Sequence, residues 1–203
     1  MSNKGTAFVL SGPSGSGKDT VLRLVRERMP ELEFSISCVT RQKRGIPQED
    51  EKYSFISVDE FKSRLERGMF LEHNVFVGNY YGTPRQPVEQ AIESGKNIVI
   101  EIDVNGAAQI RETMPDAVSI FIMPPSFEVL RSRLYGRNTD NEEMSKKRLD
   151  EALREISCAK DYDYIIVNDD LQKAVDDMCD IIKASGHRAT NMTNFINEVL
   201  KNA

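Results

Sequence analysis

The chain has 203 residues, about 1.4 average domain lengths, so a long multidomain machine is excluded and one domain with a small insertion is expected. With 39% hydrophobic and 29% charged residues it lies in the ordinary globular range, away from disordered or fibrous chains, and no run approaches the roughly 18 apolar residues of a membrane span. Lys+Arg 27 against Asp+Glu 32 gives −5, which argues against a broad basic face for nucleic acid or a membrane surface, so neither is expected as a partner.

The opening Met1-Ser2-Asn3-Lys4-Gly5 leads directly into a strand-like run rather than an export signal, and a cytoplasmic location is expected. In chain order, residues 6–10 form a short apolar strand, residues 12–17 a glycine-rich turn, and residues 18–29 a helix with Val21, Leu22, Leu24 and Val25 on its period. Over about 34–81, aromatic and β-branched residues (Phe34, Ile36, Tyr53, Phe55, Ile56, Phe70, Phe76, Val77) surround one short helix, 58–67. This predicts a small, partly antiparallel subdomain inserted into the main frame. Residues 98–103, 118–123 and 164–167 read as strands buried on both faces. Helices are expected at about 105–113, 126–135, 141–159, 171–184 and 191–200, and the polar stretch 137–143 reads as a mobile cap. The alternation predicts an α/β fold, a parallel sheet with helices on both sides.

Cys38, Cys158 and Cys179 are odd in number and widely spaced, and the chain has only two histidines, His73 and His187. Neither a disulfide framework nor a zinc site is suggested. The strongest motif is Gly12-Pro13-Ser14-Gly15-Ser16-Gly17-Lys18, which matches the G-x-x-x-x-G-K part of the P-loop. Its glycines let successive backbone N–H groups curl around phosphate oxygens while the lysine adds charge. The strict motif wants a hydroxyl next, for magnesium, but the next residue is Asp19 and the first hydroxyl is Thr20. Asp19 is expected either to turn outward or to reach the metal through water. The metal's other carboxylate is expected from the strand end Glu101-Ile102-Asp103, with Thr20 and Glu101 as the candidate metal residues. Arg41, Lys43 and Arg44 make a tight basic cluster. Arg131, Arg133 and Arg137, then Lys146, Lys147 and Arg148, flank the polar cap, where cations suit charge developing in phosphoryl transfer.

Seven blocks, GPSGSGKDT at 12–20, VTRQKR at 39–44, FLEHNVFVGNYYGTP at 70–84, EIDVNGAAQ at 101–109, PPS at 124–126, RLYGRNTD at 133–140 and NDD at 168–170, resemble guanylate kinase in order and over nearly the whole chain. The resemblance implies transfer of the terminal phosphate of ATP to GMP, and to dGMP, with Mg2+ accompanying ATP. It also implies a P-loop NTPase-type core (about 1–33, 84–126 and 160–203), a mixed α/β GMP-binding subdomain (34–83) and a helical lid (127–159). Carried over by position, residues 12–20 with Lys18 hold the ATP phosphates. Arg41 and Arg44 with Tyr53 and Tyr81 match contacts to the GMP phosphate, and Ser37, Glu72, Thr83 and Asp103 match guanine contacts. Arg133, Arg137 and Arg148 match lid and transfer arginines, and Asn168 an adenine-side contact. The catalytic set implied is Lys18, Arg41, Arg137 and Arg148. Ile46-Pro47 and Asp50 depart from the family's usual residues there; the spacing from Arg44 to Tyr53 is kept, so an altered loop path is expected.

The chemistry of these residue types agrees. Guanine offers N1–H and its 2-amino group side by side, and an ionised carboxylate such as Glu72 accepts both. Adenine would set a bare N1 against that charge. A monophosphate is largely ionised near neutral pH, so no general base is needed, which suits a chain whose two histidines, His73 and His187, are isolated from one another. An interaction domain that has lost catalysis and a kinase for another monophosphate remain as alternatives, and monomer or homo-oligomer is open.

Overall fold

The structure is a computed structural model that describes residues 4–135 and 142–201. The chain runs β1 (Ala7–Ser11), α1 (Lys18–Arg28), β2 (Glu33–Phe34), β3 (Ser37–Val39), α2 (Pro47–Asp50), β4 (Tyr53–Phe55), α3 (Val58–Glu66), β5 (Phe70–Phe76), β6 (Asn79–Pro84), α4 (Arg85–Glu93), β7 (Ile98–Glu101), α5 (Val104–Thr113), β8 (Val118–Met123), α6 (Phe127–Tyr135) and α7 (Glu142–Ser157). A 3₁₀ turn (Ala159–Asp161), β9 (Tyr164–Val167), α8 (Leu171–Ser185) and α9 (Thr193–Lys201) complete it.

Five parallel strands in the order β2-β7-β1-β8-β9 form the main sheet. β1 lies at its centre, and the two-residue period of a strand splits its side chains between two cores. Phe8 and Leu10 pack with Val21, Val25, Val175 and Met178 of α1 and α8, whereas Ala7 and Val9 pack with Val88, Ala91, Ala107 and Ile110 of α4 and α5. Both faces are covered, so the strand reads as a continuous apolar run. The smaller sheet, ordered β4-β3-β6-β5, is mixed: β3 and β4 are parallel, while β6 runs antiparallel to β3 and β5. Phe61 of α3, fully buried, stacks on Phe70 at 4.5 Å between centroids and closes the small sheet's own core with Cys38.

Several expectations need correction. Phe34 belongs to β2 and pairs with Val99 in the main sheet, so the small sheet begins after it. β9 is not buried on both faces: Ile166 is covered by the α8 side, but Tyr164, Ile165 and Val167 are exposed because β9 is the sheet's edge and, among the described residues, pairs only with β8. α4 was not anticipated; its Pro87 lies in the first turn, where a missing N–H costs little, and Val88 and Ala91 are buried against the sheet. α9 forms, but it buries no side chain and leaves Phe195, Ile196, Val199 and Leu200 exposed. Among the described residues no helix is long and apolar enough to cross a membrane.

All five strands of the main sheet point the same way, so the loops leaving β1, β7, β8 and β9 gather at one edge, the usual ligand edge of an open α/β sheet. From that edge Asp19 and Glu101 reach Lys52, and Asp103 reaches Asn74, of the small sheet.

Candidate active site

The loop between β1 and α1 is held from outside by its carbonyls. Asn168, buried just past β9, donates its amide N–H to the Ser16 carbonyl at 2.7 Å. The Arg133 guanidinium of α6 donates to the carbonyls of Ser16 at 3.3 Å and Gly15 at 3.5 Å, and to that of Asn168 at 3.3 Å. Gly17 caps α1 with φ 85°, a left-handed conformation that favours glycine, and a Cβ there would lie 2.3 Å from Asn168 Nδ2. The Ser16 N–H closes the turn on the Pro13 carbonyl at 3.0 Å, and the Ser16 hydroxyl is buried without a hydrogen-bond partner among the described residues. Arg133 and Asn168 thus bear on the loop's backbone, beside the roles the resemblance implies for them.

At the first turn of α1 four charges meet. Lys18 Nζ donates to Glu101 Oε1 in a short contact and lies 3.9 Å from Asp19 Oδ1. Lys52, immediately before β4 on the small sheet, reaches across with its Nζ 3.0 Å from Asp19 Oδ1 and 3.3 Å from Glu101 Oε2. Partial desolvation pushes the Asp19 carboxyl up, but the Lys18 and Lys52 ammonium groups outweigh it and hold it at about 2. Desolvation likewise opposes the Lys52 charge, and the Glu101 and Asp19 carboxylates reverse that and raise it. The Asp19 side chain turns outward, 72% exposed, as the first of its two expected fates has it, and there it meets a lysine of the small sheet. Lys52 was not singled out in the sequence. The only signal was a lysine beside Tyr53, on a segment whose approach to Asp19 cannot be read locally.

On the small sheet the cationic and aromatic residues converge. The Arg41 guanidinium carbon lies 5.0 Å from the Tyr53 ring centroid and 5.2 Å from that of Phe55, and the Tyr53 and Tyr81 rings meet edge to face at 6.0 Å. Burial, and then the nearby Glu101 carboxylate, raise the Tyr53 phenol, so it stays a hydrogen-bond donor. Ser37 pairs in register with Tyr53 across β3 and β4. The altered loop takes a definite path: Pro47 starts the one-turn helix α2, and Asp50 at its end accepts from the backbone N–H of Arg44 at 3.2 Å and Gly45 at 2.9 Å. Asp50 Oδ1 also lies 3.4 Å from Arg41. The Asp50 carboxylate therefore clasps the segment that carries both arginines.

Glu72 occupies β5 next to an irregularity in the β5–β6 pairing and is 5% exposed. It accepts a hydrogen bond from the Thr83 hydroxyl at 2.6 Å. Its other oxygen faces Gly106 on α5, where a Cβ would come within 2.8 Å. Asp103 caps α5 by accepting from the Gly106 N–H at 2.8 Å and takes the Asn74 side-chain N–H at 2.6 Å. Burial, with the Asp103 charge adding to it and the Thr83 bond opposing, lifts the Glu72 carboxyl from an ordinary 4.5 to about 7. Gly106 and Asn74 lie within the blocks at 101–109 and 70–84, but no role is read for either from the sequence.

On the lid side, Leu130 and Leu134 of α6 pack with Ala152 of α7, and a Cβ at Gly15 would meet both leucines at 3.2 Å. Arg148 lies half-buried on α7. Arg137, with most of the polar cap, falls outside the described residues. Of the sequence-derived set, the structure gathers Lys18, Asp19 and Glu101 at one point, Arg41, Tyr53 and Tyr81 at a second, and Glu72, Thr83 and Asp103 at a third. Thr20 is exposed one residue beyond Asp19.

A G-x-x-x-x-G-K loop at the sheet edge, beside a separate small sheet that carries Arg41, Tyr53 and Tyr81, is the arrangement of a P-loop kinase. The family model described as guanylate kinase matches residues 4–185. The guanylate kinase of Trichormus variabilis is 49% identical over 173 residues, 85% of this chain and 87% of that one. The guanylate kinase of Lactobacillus johnsonii is 40% identical over 202 residues, 99% of each chain. A crystal structure of guanylate kinase from Anaplasma phagocytophilum superposes with a TM-score of 0.76 at 34% identity, covering 94% of this chain and 90% of that one. The chain belongs to the guanylate kinase family and is an ATP:GMP phosphotransferase.

Proposed function

We propose that ATP lies with its phosphates on residues 12–20, that GMP lies on the small sheet, and that the helices after β8 close over both. The core, GMP subdomain and lid then divide the chain at about residues 34, 84, 127 and 160. Lys18 and the N–H groups of the loop hold the β- and γ-phosphates, with the carbonyls already engaged on Asn168 and Arg133. Arg41 and Arg44 with the phenols of Tyr53 and Tyr81 hold the GMP phosphate. Glu72, oriented by Thr83 and with Asp103 beside it, accepts from guanine N1–H and the 2-amino group, and Ser37 on β3 makes a further contact to the base.

The attacking GMP phosphate oxygen is already ionised, so the residues align two anions and neutralise their repulsion rather than move a proton. Lys18, Arg41, Arg137 and Arg148 supply that positive field, and lid closure keeps water from the γ-phosphate. Glu101, Thr20 and the adjacent Asp19 are an oxygen-only donor set of the kind Mg2+ accepts together with substrate phosphates. Glu101 and Thr20, partly through water, would hold Mg2+ arriving with ATP, and the ion would supply charge neutralisation on the phosphates. The assigned contacts read base and phosphate rather than sugar, so dGMP is accepted as well. Small nucleotides in the cytoplasm are the partners.

The observation that carries the reading is the buried Glu72 carboxylate on the sheet that also bears Arg41, Tyr53 and Tyr81. A coupled assay with ATP, Mg2+ and each monophosphate tests it. Turnover is expected on GMP and dGMP, with little on AMP, CMP or UMP, and Lys18→Ala is expected to lower it by orders of magnitude with the fold intact. Equal rates on AMP would remove the role given to Glu72.

A further inference from the structure

An aspartate directly after the P-loop lysine is an electrostatic problem for a site that must receive a polyanion. Asp19 adds a carboxylate where the strict motif has a neutral hydroxyl, on the first turn of the helix that carries Lys18. The structure contains a counterweight from another part of the chain. Lys52 is 33 residues away in sequence and sits on the small sheet, yet its ammonium lies 3.0 Å from Asp19 and 3.3 Å from Glu101. With Lys18 on Glu101, the two lysines and two carboxylates form a ring of zero net charge at the place where the donor phosphates are assigned.

The position of Lys52 adds a second consequence. The next residue, Tyr53, is packed by Arg41 and Tyr81 in the pocket assigned to the acceptor phosphate. One backbone step therefore links a lysine on the donor cradle to a phenol on the acceptor pocket. The ring includes three residues of the main frame and one of the small sheet, so it is also an ionic tie between the two ends of the reaction.

We propose that Lys52 is a positioning residue for phosphoryl transfer: it neutralises Asp19 beside the donor phosphates and tethers the acceptor subdomain to the P-loop. The inference rests on the placement of ATP given above. When ATP arrives, its phosphates take over as partners for Lys18, and Lys52 stays against Asp19, so the added carboxylate does not repel the incoming charge. Lys52 acts through Asp19, which makes the pair interdependent: with a hydroxyl at position 19 the lysine has little left to neutralise.

The test is a double-mutant cycle of Lys52→Met and Asp19→Thr, with Lys52→Arg as the conservative variant. Two readouts are used, steady-state kinetics and calorimetric binding of a non-hydrolysable ATP analogue. Lys52→Met is expected to weaken analogue binding and raise the KM for ATP by about tenfold or more, with a smaller change in the KM for GMP and a melting temperature close to that of the parent. Lys52→Arg is expected to retain most function, because the cation is kept. Adding Asp19→Thr to Lys52→Met is expected to recover analogue affinity to within a few-fold of the parent. Unchanged analogue affinity in Lys52→Met, or a loss that Asp19→Thr does not relieve, overturns the proposal. Tighter analogue binding in Lys52→Met also overturns it, since the tie would then be holding an inhibited form. Absence of GMP turnover in the parent chain would instead refute the nucleotide assignment, and the analogue titrations keep the two failures separate.

Discussion

The buried Glu72 carboxyl ties GMP recognition to pH in a way that can be measured. Burial, reinforced by the Asp103 charge, holds this group at about 7 against an ordinary 4.5, despite the Thr83 hydroxyl bonded to it. Guanine needs the ionised form, because a protonated carboxyl presents a donor where two acceptors are required. Binding must therefore expel the proton. Between pH 8 and pH 6 the ionised fraction of the free site falls about tenfold, so the dissociation constant for the guanine ligand should rise about tenfold, equivalent to about 1.4 kcal/mol. Guanosine is the cleaner ligand, since the second ionisation of the GMP phosphate near 6 overlaps the lower end of this range. Calorimetry from pH 5.5 to 8 in two buffers of different ionisation enthalpy reads both affinity and proton release. Close to one proton should be released near pH 6, falling to none by pH 8, and Glu72→Gln should flatten the profile. A dissociation constant that is flat across this range in the parent protein would refute the reasoning. The same group bears on stability. Below about pH 4.5 the carboxyl is protonated both folded and unfolded and contributes no pH dependence. As pH rises from there to about 7 the unfolded chain loses the proton that the folded chain keeps, so stability falls, by about 3 kcal/mol in total, and then levels off. Glu72→Gln should remove that loss and raise the melting temperature of the ligand-free protein at pH 8.

Three further outcomes are expected. Gly106→Ala places a methyl 2.8 Å from Glu72 Oε2 and should raise the KM for GMP by about tenfold with the KM for ATP unchanged, as read from paired substrate titrations; an unchanged GMP value would show that Glu72 has room to adapt. Gly17→Ala forces a side chain into a left-handed backbone against Asn168, so ATP analogue affinity should fall and stability should drop by about 1–2 kcal/mol in thermal unfolding. Arg137→Ala should lower kcat more than it raises the KM for GMP, and the reverse pattern would assign the residue to ground-state binding.

What was legible in the sequence was encoded in contiguous residues. The glycines and lysine of 12–18 specify a phosphate loop because the turn needs φ values and close approaches that those residues alone allow in place. The apolar runs at 98–101 and 118–123 announce central strands because both of their faces are covered. The same rule misjudged 164–167, since an apolar run does not say whether a neighbouring strand exists beyond it, and among the described residues β9 has none. The candidate site residues were found one by one through motif and resemblance, each on its own stretch of chain. Their grouping was decided by packing. The burial that shifts Glu72 comes from β6 and α5 closing around β5, and the clasp of Asp50 depends on a turn whose closure Pro47 begins. The ring that joins Asp19 to Lys52 exists because the small sheet is set against the main sheet's ligand edge. Local pattern carries the conformational preferences of a segment, whereas distances between charges 30 to 80 residues apart follow from how two sheets are docked, and only the folded chain contains that information.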